Sequence, residues 1–178
     1  MKLANIKYYS TVNAAGISTA VFVSGCHHKK HCPGCFNKIA WDGNYGHELT
    51  DELIDKIIKE TEPEYIRTLS ILGGEPLDVE NAEGVAKIIR KFREVYGNKK
   101  EIWVWTGYVM PDAPAEQIEM DDAEGCEFEF IPKNEHSDYI LENIDVLIDG
   151  PFVQNKHSID LKYRGSSNQR VIHLKKTA

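Results

Sequence analysis

The sequence has no apolar run of the roughly 20 residues that a membrane helix requires. Its start carries no basic segment followed by an apolar core, so neither a membrane anchor nor a signal peptide is expected. Cationic excess is missing too. Lys and Arg number 21 against 28 Asp and Glu, a formal net charge of −7. That balance disfavours a general affinity for nucleic acid or for an anionic membrane. Internal repeats and low-complexity tracts are lacking. What remains is a chain of 178 residues, 42 % hydrophobic, which suits one domain (1–178) with a full core. Cysteine is scarce, with four in the chain, yet three of them fall within Gly25–Asn37, "GCHHKKHCPGCFN". The expected location is the cytoplasm, where thiols stay reduced. There, clustered cysteines read as metal ligands or catalytic groups before disulfides. Cys126 stands apart and reads as an ordinary free cysteine.

Around that cluster the chain alternates strand and helix signals. "TAVFVSG" (Thr19 to Gly25) is β-branched and alternating, a strand that leads straight into the cysteines. "ELTDELIDKIIKE" offers Thr50 as N-cap, two acids in the first turn, then Leu53, Ile54, Ile57 and Ile58 on one helical face. "TLSILGGEP" (Thr68 to Pro76) is strand, then turn, and 80–93 carries apolar residues at helical spacing. "EIWVWTGY" (Glu101 to Tyr108) predicts a third strand and "IDVLIDGPF" a fourth; Ser137 is the expected cap of a short helix to Asn143, and "QRVIHL" a fifth strand. Residues 111–135 are acidic and irregular and read as a surface excursion. The alternation predicts an α/β fold, with a mostly parallel sheet and helical crossovers. The loops "SGC", "GGEP", "TGY" and "DGP" then gather at one edge of it, where parallel α/β folds place their sites. With too few strands for eight βα units, a partial (β/α) barrel or an open curved sheet is expected.

The cysteines are spaced Cys26-x5-Cys32-x2-Cys35, with Pro33-Gly34 supplying a tight turn. Three thiolates plus one of His27, His28 or His31 would close a structural zinc site. The same three thiolates would hold three irons of a [4Fe–4S] cluster and leave the fourth open, as chemistry at a metal requires. Spacing alone leaves zinc and iron–sulfur level, with the histidines read as polar loop residues beside lysines.

A three-cysteine loop after one strand and Gly73-Gly74-Glu75-Pro76 after the next resembles the radical S-adenosylmethionine family. "CPGCFN", "WVWTGY", "DVLIDGPF" and "RGSSNQRVI" make the chain similar to its glycyl radical enzyme activases, the kind that serve anaerobic ribonucleoside-triphosphate reductase. The likeness runs from about Val21 to Ile172. The first gap departs from it: five residues, where these activases commonly have three.

The resemblance implies a [4Fe–4S] cluster on Cys26, Cys32 and Cys35, and reductive cleavage of S-adenosylmethionine to a 5′-deoxyadenosyl radical. That radical would remove hydrogen from a glycine of the reductase, with an electron donor such as flavodoxin. Gly73, Gly74 and Glu75 would bind the methionine end, Glu75 as a negative pole for the ammonium. Thr106 and Gly107 would reach the cofactor from the next strand end, while Asp149 is either a further contact or a turn residue. Gly34 and Phe36 belong to the cofactor side, Phe36 against the adenine or in the core. No catalytic acid–base residue is nominated, since the cofactors carry the chemistry. Tyr163, Arg164 and Arg170, in a basic and hydrogen-bond-rich stretch, are the expected docking anchors for the reductase. Two rivals stand beside this reading: an activase of another glycyl radical enzyme, of the formate lyase type, and a non-catalytic zinc-binding module.

Overall fold

The computed structural model describes residues 1–111 and 128–174. Seven strands form one open sheet: β1 (Lys2–Ser10), β2 (Ile17–Val23), β3 (His47–Glu48), β4 (Ile66–Gly73), β5 (Glu101–Trp105), β6 (Val146–Asp149) and β7 (Arg170–His173). Their order is β3-β1-β2-β4-β5-β6-β7. The four central strands, β2, β4, β5 and β6, run parallel. Antiparallel partners close both flanks, β1 and β3 on one side and β7 on the other.

The parallel strands advance across the sheet without reversing. Each crossover carries one helix: α1 (Asp51–Glu60), α2 (Val79–Tyr96) and α3 (Glu135–Asn143). Crossovers of the usual right hand, all stepping the same way, put every helix on the same face. The core shows this, because Ile54, Ile57, Val85, Ile89, Phe92 and Ile140 join Val21, Val23, Leu69, Ile71, Val104 and Leu147 in one buried cluster. The alternate strand residues, among them Ala20, Phe22, Leu72, Trp103 and Ile148, face the other way into smaller clusters. Among the described residues no α-helix joins those smaller clusters.

Local signals explain the helix ends. Thr50 accepts from Leu53 N–H, with Asp51 and Glu52 in the first turn of α1. At α2 the N-cap residue, Asp78, makes no side-chain capping bond, because its carboxylate is drawn elsewhere. The connection after α1 is closed by Lys100, whose ammonium donates to the carbonyls of Glu62, Pro63 and Ile66.

Five strands were expected and seven are present among the described residues. β1, "KLANIKYYS", alternates intermediate and exposed positions around few buried ones, so its apolar signal is thin. β3 is two residues long. The expected cap of α3, Ser137, is its third residue instead. Asn134 caps, and Ser137 returns the bond in a capping box. Most of the expected excursion at 111–135, together with Cys126, lies outside the described residues. Its described end is not all irregular, since Phe130 bridges Val109 and α3 begins at Glu135. Among the described residues no helix is long and apolar enough to cross a membrane.

Candidate iron–sulfur site

The C-terminal ends of the parallel strands meet at one edge, and the cysteine loop leaves from the first of them. Cys32-Pro33-Gly34-Cys35 closes a turn, with Cys35 N–H donating to the Cys32 carbonyl at 3.1 Å. Pro at the second position and positive φ at Gly34, +78°, are what a type II turn needs. The turn brings two thiols of the loop close in sequence to one place. Cys26, Cys32 and Cys35 are all half-buried, and none of them is in a disulfide. Burial, then the carboxylate of Glu75, pushes the Cys26 thiol well above the usual range. A thiolate at that position therefore calls for a cation to neutralise it.

The Gly73–Pro76 turn is stitched to the start of this loop. Gly74 N–H donates to Val23 O at 2.8 Å and Glu75 N–H to Gly25 O at 2.7 Å. A Cβ on Gly74 would stand 2.1 Å from the Gly25 oxygen, so only glycine fits. Glu75 is 1 % exposed. Its Oε1 accepts from Leu77 N–H and the Thr106 hydroxyl, and its Oε2 from Gly107 N–H and His28 Nε2. The expected negative pole is thus saturated from within the protein, and it also takes up the polar groups of Thr106 and Gly107.

Together these loops border a cleft of about 530 Å³. Cys26, Cys32, Gly34, Cys35 and Phe36 line one wall, and Gly73, Gly74, Glu75, Thr106 and Gly107 the floor. Phe36 is 85 % exposed, so the option of a core role falls away. The opposite wall is the β6–β7 connection, with Phe152, Gln154, His157, Tyr163 and Arg164. Tyr163 sets its ring edge-on to Trp103 at 4.8 Å and accepts from Trp105 Nε1–H. Arg164 donates to the Gln169 carbonyl at 2.6 Å. Arg170 does not line the cleft. Its Nε donates to Asp149 Oδ1 at 2.8 Å and its NH2 to the Met110 carbonyl. Asp149 is fully buried in that ion pair, away from the cleft.

Residues 12–172 match the family described as a 4Fe-4S single cluster domain. The chain is also 37 % identical over 174 residues to the anaerobic ribonucleoside-triphosphate reductase-activating protein of Escherichia coli strain K12, covering 95 % of this chain and 97 % of that one. It is 36 % identical over 171 residues to the protein of the same name from Vibrio cholerae, covering 94 % and 95 %. Against that of Enterobacteria phage T4 the identity is 31 % over 160 residues, covering 90 % and 86 %. The chain belongs to the family of anaerobic ribonucleoside-triphosphate reductase-activating proteins. No solved structure matches it at a significant level.

In this chain the histidines of the first gap, read from the sequence as polar loop residues or as one candidate zinc ligand, make contacts that sequence reasoning passed over. None is idle. His27 donates its backbone N–H to Asp78 Oδ2 at 2.7 Å and sets Nδ1 2.9 Å from the same oxygen. His31 donates Nε2–H to the Cys26 carbonyl at 2.8 Å and stacks on Trp41 at 4.1 Å. His28 faces Glu75 through Nε2 and Glu129 through Nδ1, at 2.9 and 3.2 Å. Burial favours its neutral form, but hydrogen bonds to the two carboxylates hold its pKa up to about 8. Asp78 and Tyr108 were passed over as well; the Tyr108 hydroxyl donates to Asp78 Oδ1 at 2.6 Å. A signal was present: "GGEPLD" sets two acids three residues apart, and "HH" sets two adjacent imidazoles to meet them.

Proposed function

We propose that this protein activates an anaerobic ribonucleoside-triphosphate reductase by raising a glycyl radical on it, as a radical S-adenosylmethionine enzyme with the partial (β/α) barrel of that superfamily and residues 1–178 as one domain. The observation that carries the reading is the convergence of three cysteines outside any disulfide, the Gly73–Pro76 turn and the Thr106–Gly107 strand end on one cleft. Cys26, Cys32 and Cys35 would hold the [4Fe–4S] cluster, a set of three thiols that fits a cluster with one iron left open. A cluster held there would supply the single-electron reduction needed to cleave S-adenosylmethionine and so to remove hydrogen from the reductase's glycine. The protein's own residues position and shield. With the Glu75 carboxylate taken up internally, the backbone of the Gly73–Gly74 turn is left to meet the methionine ammonium. Phe36 and Gly34 stand on the cofactor side, and Trp105 and Phe152 supply apolar wall that keeps water out.

The reductase would enter at the mouth of the cleft. Residues 26–41 and 151–169 form its two walls and hold Lys29, Lys30, Lys38, Lys156, Lys162 and Arg164 against one acid, Asp160, in a chain of net charge −7. Val12, Phe36 and Ile159 stand exposed beside these cations. Tyr163 and Arg164 would touch the partner, while Arg170 serves by holding β7 to β6. A cytoplasmic reductant such as flavodoxin would supply the electron.

The test is anaerobic reconstitution with iron and sulfide, then reduction with S-adenosylmethionine present. Formation of 5′-deoxyadenosine, and a glycyl radical signal only when the reductase is added, is the expected result. Stoichiometric zinc with no iron uptake would return the chain to the zinc-binding reading. A radical raised on formate lyase in preference to the reductase would assign it to the other kind of activase.

A further inference from the structure

Three segments with no sequence continuity meet at one side chain. His28 lies in the long first gap of the cysteine loop, and its side chain is 8 % exposed. Nε2 stands 2.9 Å from Glu75 Oε2, in the Gly73–Pro76 turn. Nδ1 stands 3.2 Å from Glu129 Oε1, in the segment that returns from residue 128. The face of the ring lies against Tyr108, 4.2 Å between centroids. Glu129 also accepts from Lys29 N–H at 3.0 Å, so it holds the loop backbone as well as the ring. Its own position is set by main-chain bonds between Val109 and both Glu129 and Ile131.

His28 also lines the cleft, between the thiols and the turn. We infer that His28 is a positioning residue: it fixes the cysteine loop relative to the Gly73–Glu75 turn, and so sets how well S-adenosylmethionine is held, without itself being a cluster ligand. Both ring nitrogens are directed at carboxylate oxygens, which leaves neither lone pair for a metal. Both carboxylates are anchored by other donors, so the ring is held from two sides. Such outer contacts to a metal site are commonly worth tenfold or more in affinity. The five-residue gap is then no slack loop. It reaches far enough to place an imidazole between the two acids.

The inference rests on the proposed cofactor chemistry, and the experiment keeps the two apart. Reconstituted His28→Ala, His28→Gln and Glu129→Ala chains are compared with the unmodified one. The readouts are iron per chain, the Kd for S-adenosylmethionine, and the change in the electron paramagnetic resonance spectrum of the reduced cluster when that molecule is added. His28→Ala should load iron normally, bind S-adenosylmethionine about tenfold more weakly and lose most of the spectral change. His28→Gln, which keeps one donor toward Glu75, should recover part of the affinity, and Glu129→Ala should show a smaller loss in the same direction. Unchanged Kd in His28→Ala overturns the inference. So does iron loss as complete as in a cysteine variant, which would make His28 a ligand. If His28→Ala fails to fold, unchanged affinity in the other two variants overturns it equally. An unmodified chain that takes up iron but shows no response to S-adenosylmethionine would instead defeat the proposed function.

Discussion

The two walls of the cleft are built on opposite plans. The cysteine wall has bonds of its own, such as His31 to the Cys26 carbonyl, but its side chains also fasten it to other elements. His27 and His28 reach carboxylates on other elements, and Gly25 is held by the Gly73–Pro76 turn and by Asn81. The β6–β7 wall is fastened largely from within. Gln169 Oε1 accepts from Gly165 N–H and Ser166 N–H, its amide donates to Gly150 O, Asn168 donates to Pro151 O, and Ser166 Oγ accepts from Val153 N–H. A wall held by partners elsewhere can change its own length, provided the anchoring side chains still reach. A wall whose side chains satisfy its own backbone depends on each of those residues in order. The first plan leaves room for the five-residue gap between Cys26 and Cys32, and the second ties the "RGSSNQR" stretch to its own residue order.

The contrast can be broken most severely at the thiols. Changing Cys26, Cys32 or Cys35 to Ala should abolish iron uptake on reconstitution, measured as iron and sulfide per chain, while far-ultraviolet circular dichroism stays as before. Next comes the self-bonded wall. Gln169→Ala removes three hydrogen bonds and leaves two N–H groups without an acceptor. It should lower stability by about 2–3 kcal/mol in denaturant unfolding. A loss under about 0.5 kcal/mol would show that this wall is not built on Gln169. Reversing Lys29 and Lys30 to Glu should weaken association with the reductase about tenfold at low salt and flatten its dependence on ionic strength. An unaltered salt dependence would place docking elsewhere. The smallest effect belongs to Phe36→Ala. At 85 % exposure its stability change should stay within about 0.5 kcal/mol, so that any loss of activation reports on cofactor or partner contact.

What the sequence made legible was decided by periodicity and by punctuation. The central strands and α1 carry long apolar patterns with clear stops, and "GGEP" and "CPGC" are turns whose residues demand their geometry. β1 was illegible because one face of it is half solvated, which leaves little alternation to read. The partners of His28 were illegible for another reason. Glu75 lies 47 residues away and Glu129 101 residues away, and only the strand order brings them together. Arg170 was read as a docking anchor, and its ion pair with Asp149 was out of sight because it depends on antiparallel pairing of β6 with β7, where the alternation pointed to parallel strands. The polar side chains of the "RGSSNQR" stretch looked free for docking, since local backbone bonding leaves no trace in composition.

The bridge between Val109 and Phe130 carries a consequence for anyone wishing to watch this molecule at work. The chain leaves at one of these residues and comes back at the other, and the two lie side by side. Phe130 itself is exposed, so a fluorophore carried there would report from beside Glu129, the residue that faces His28.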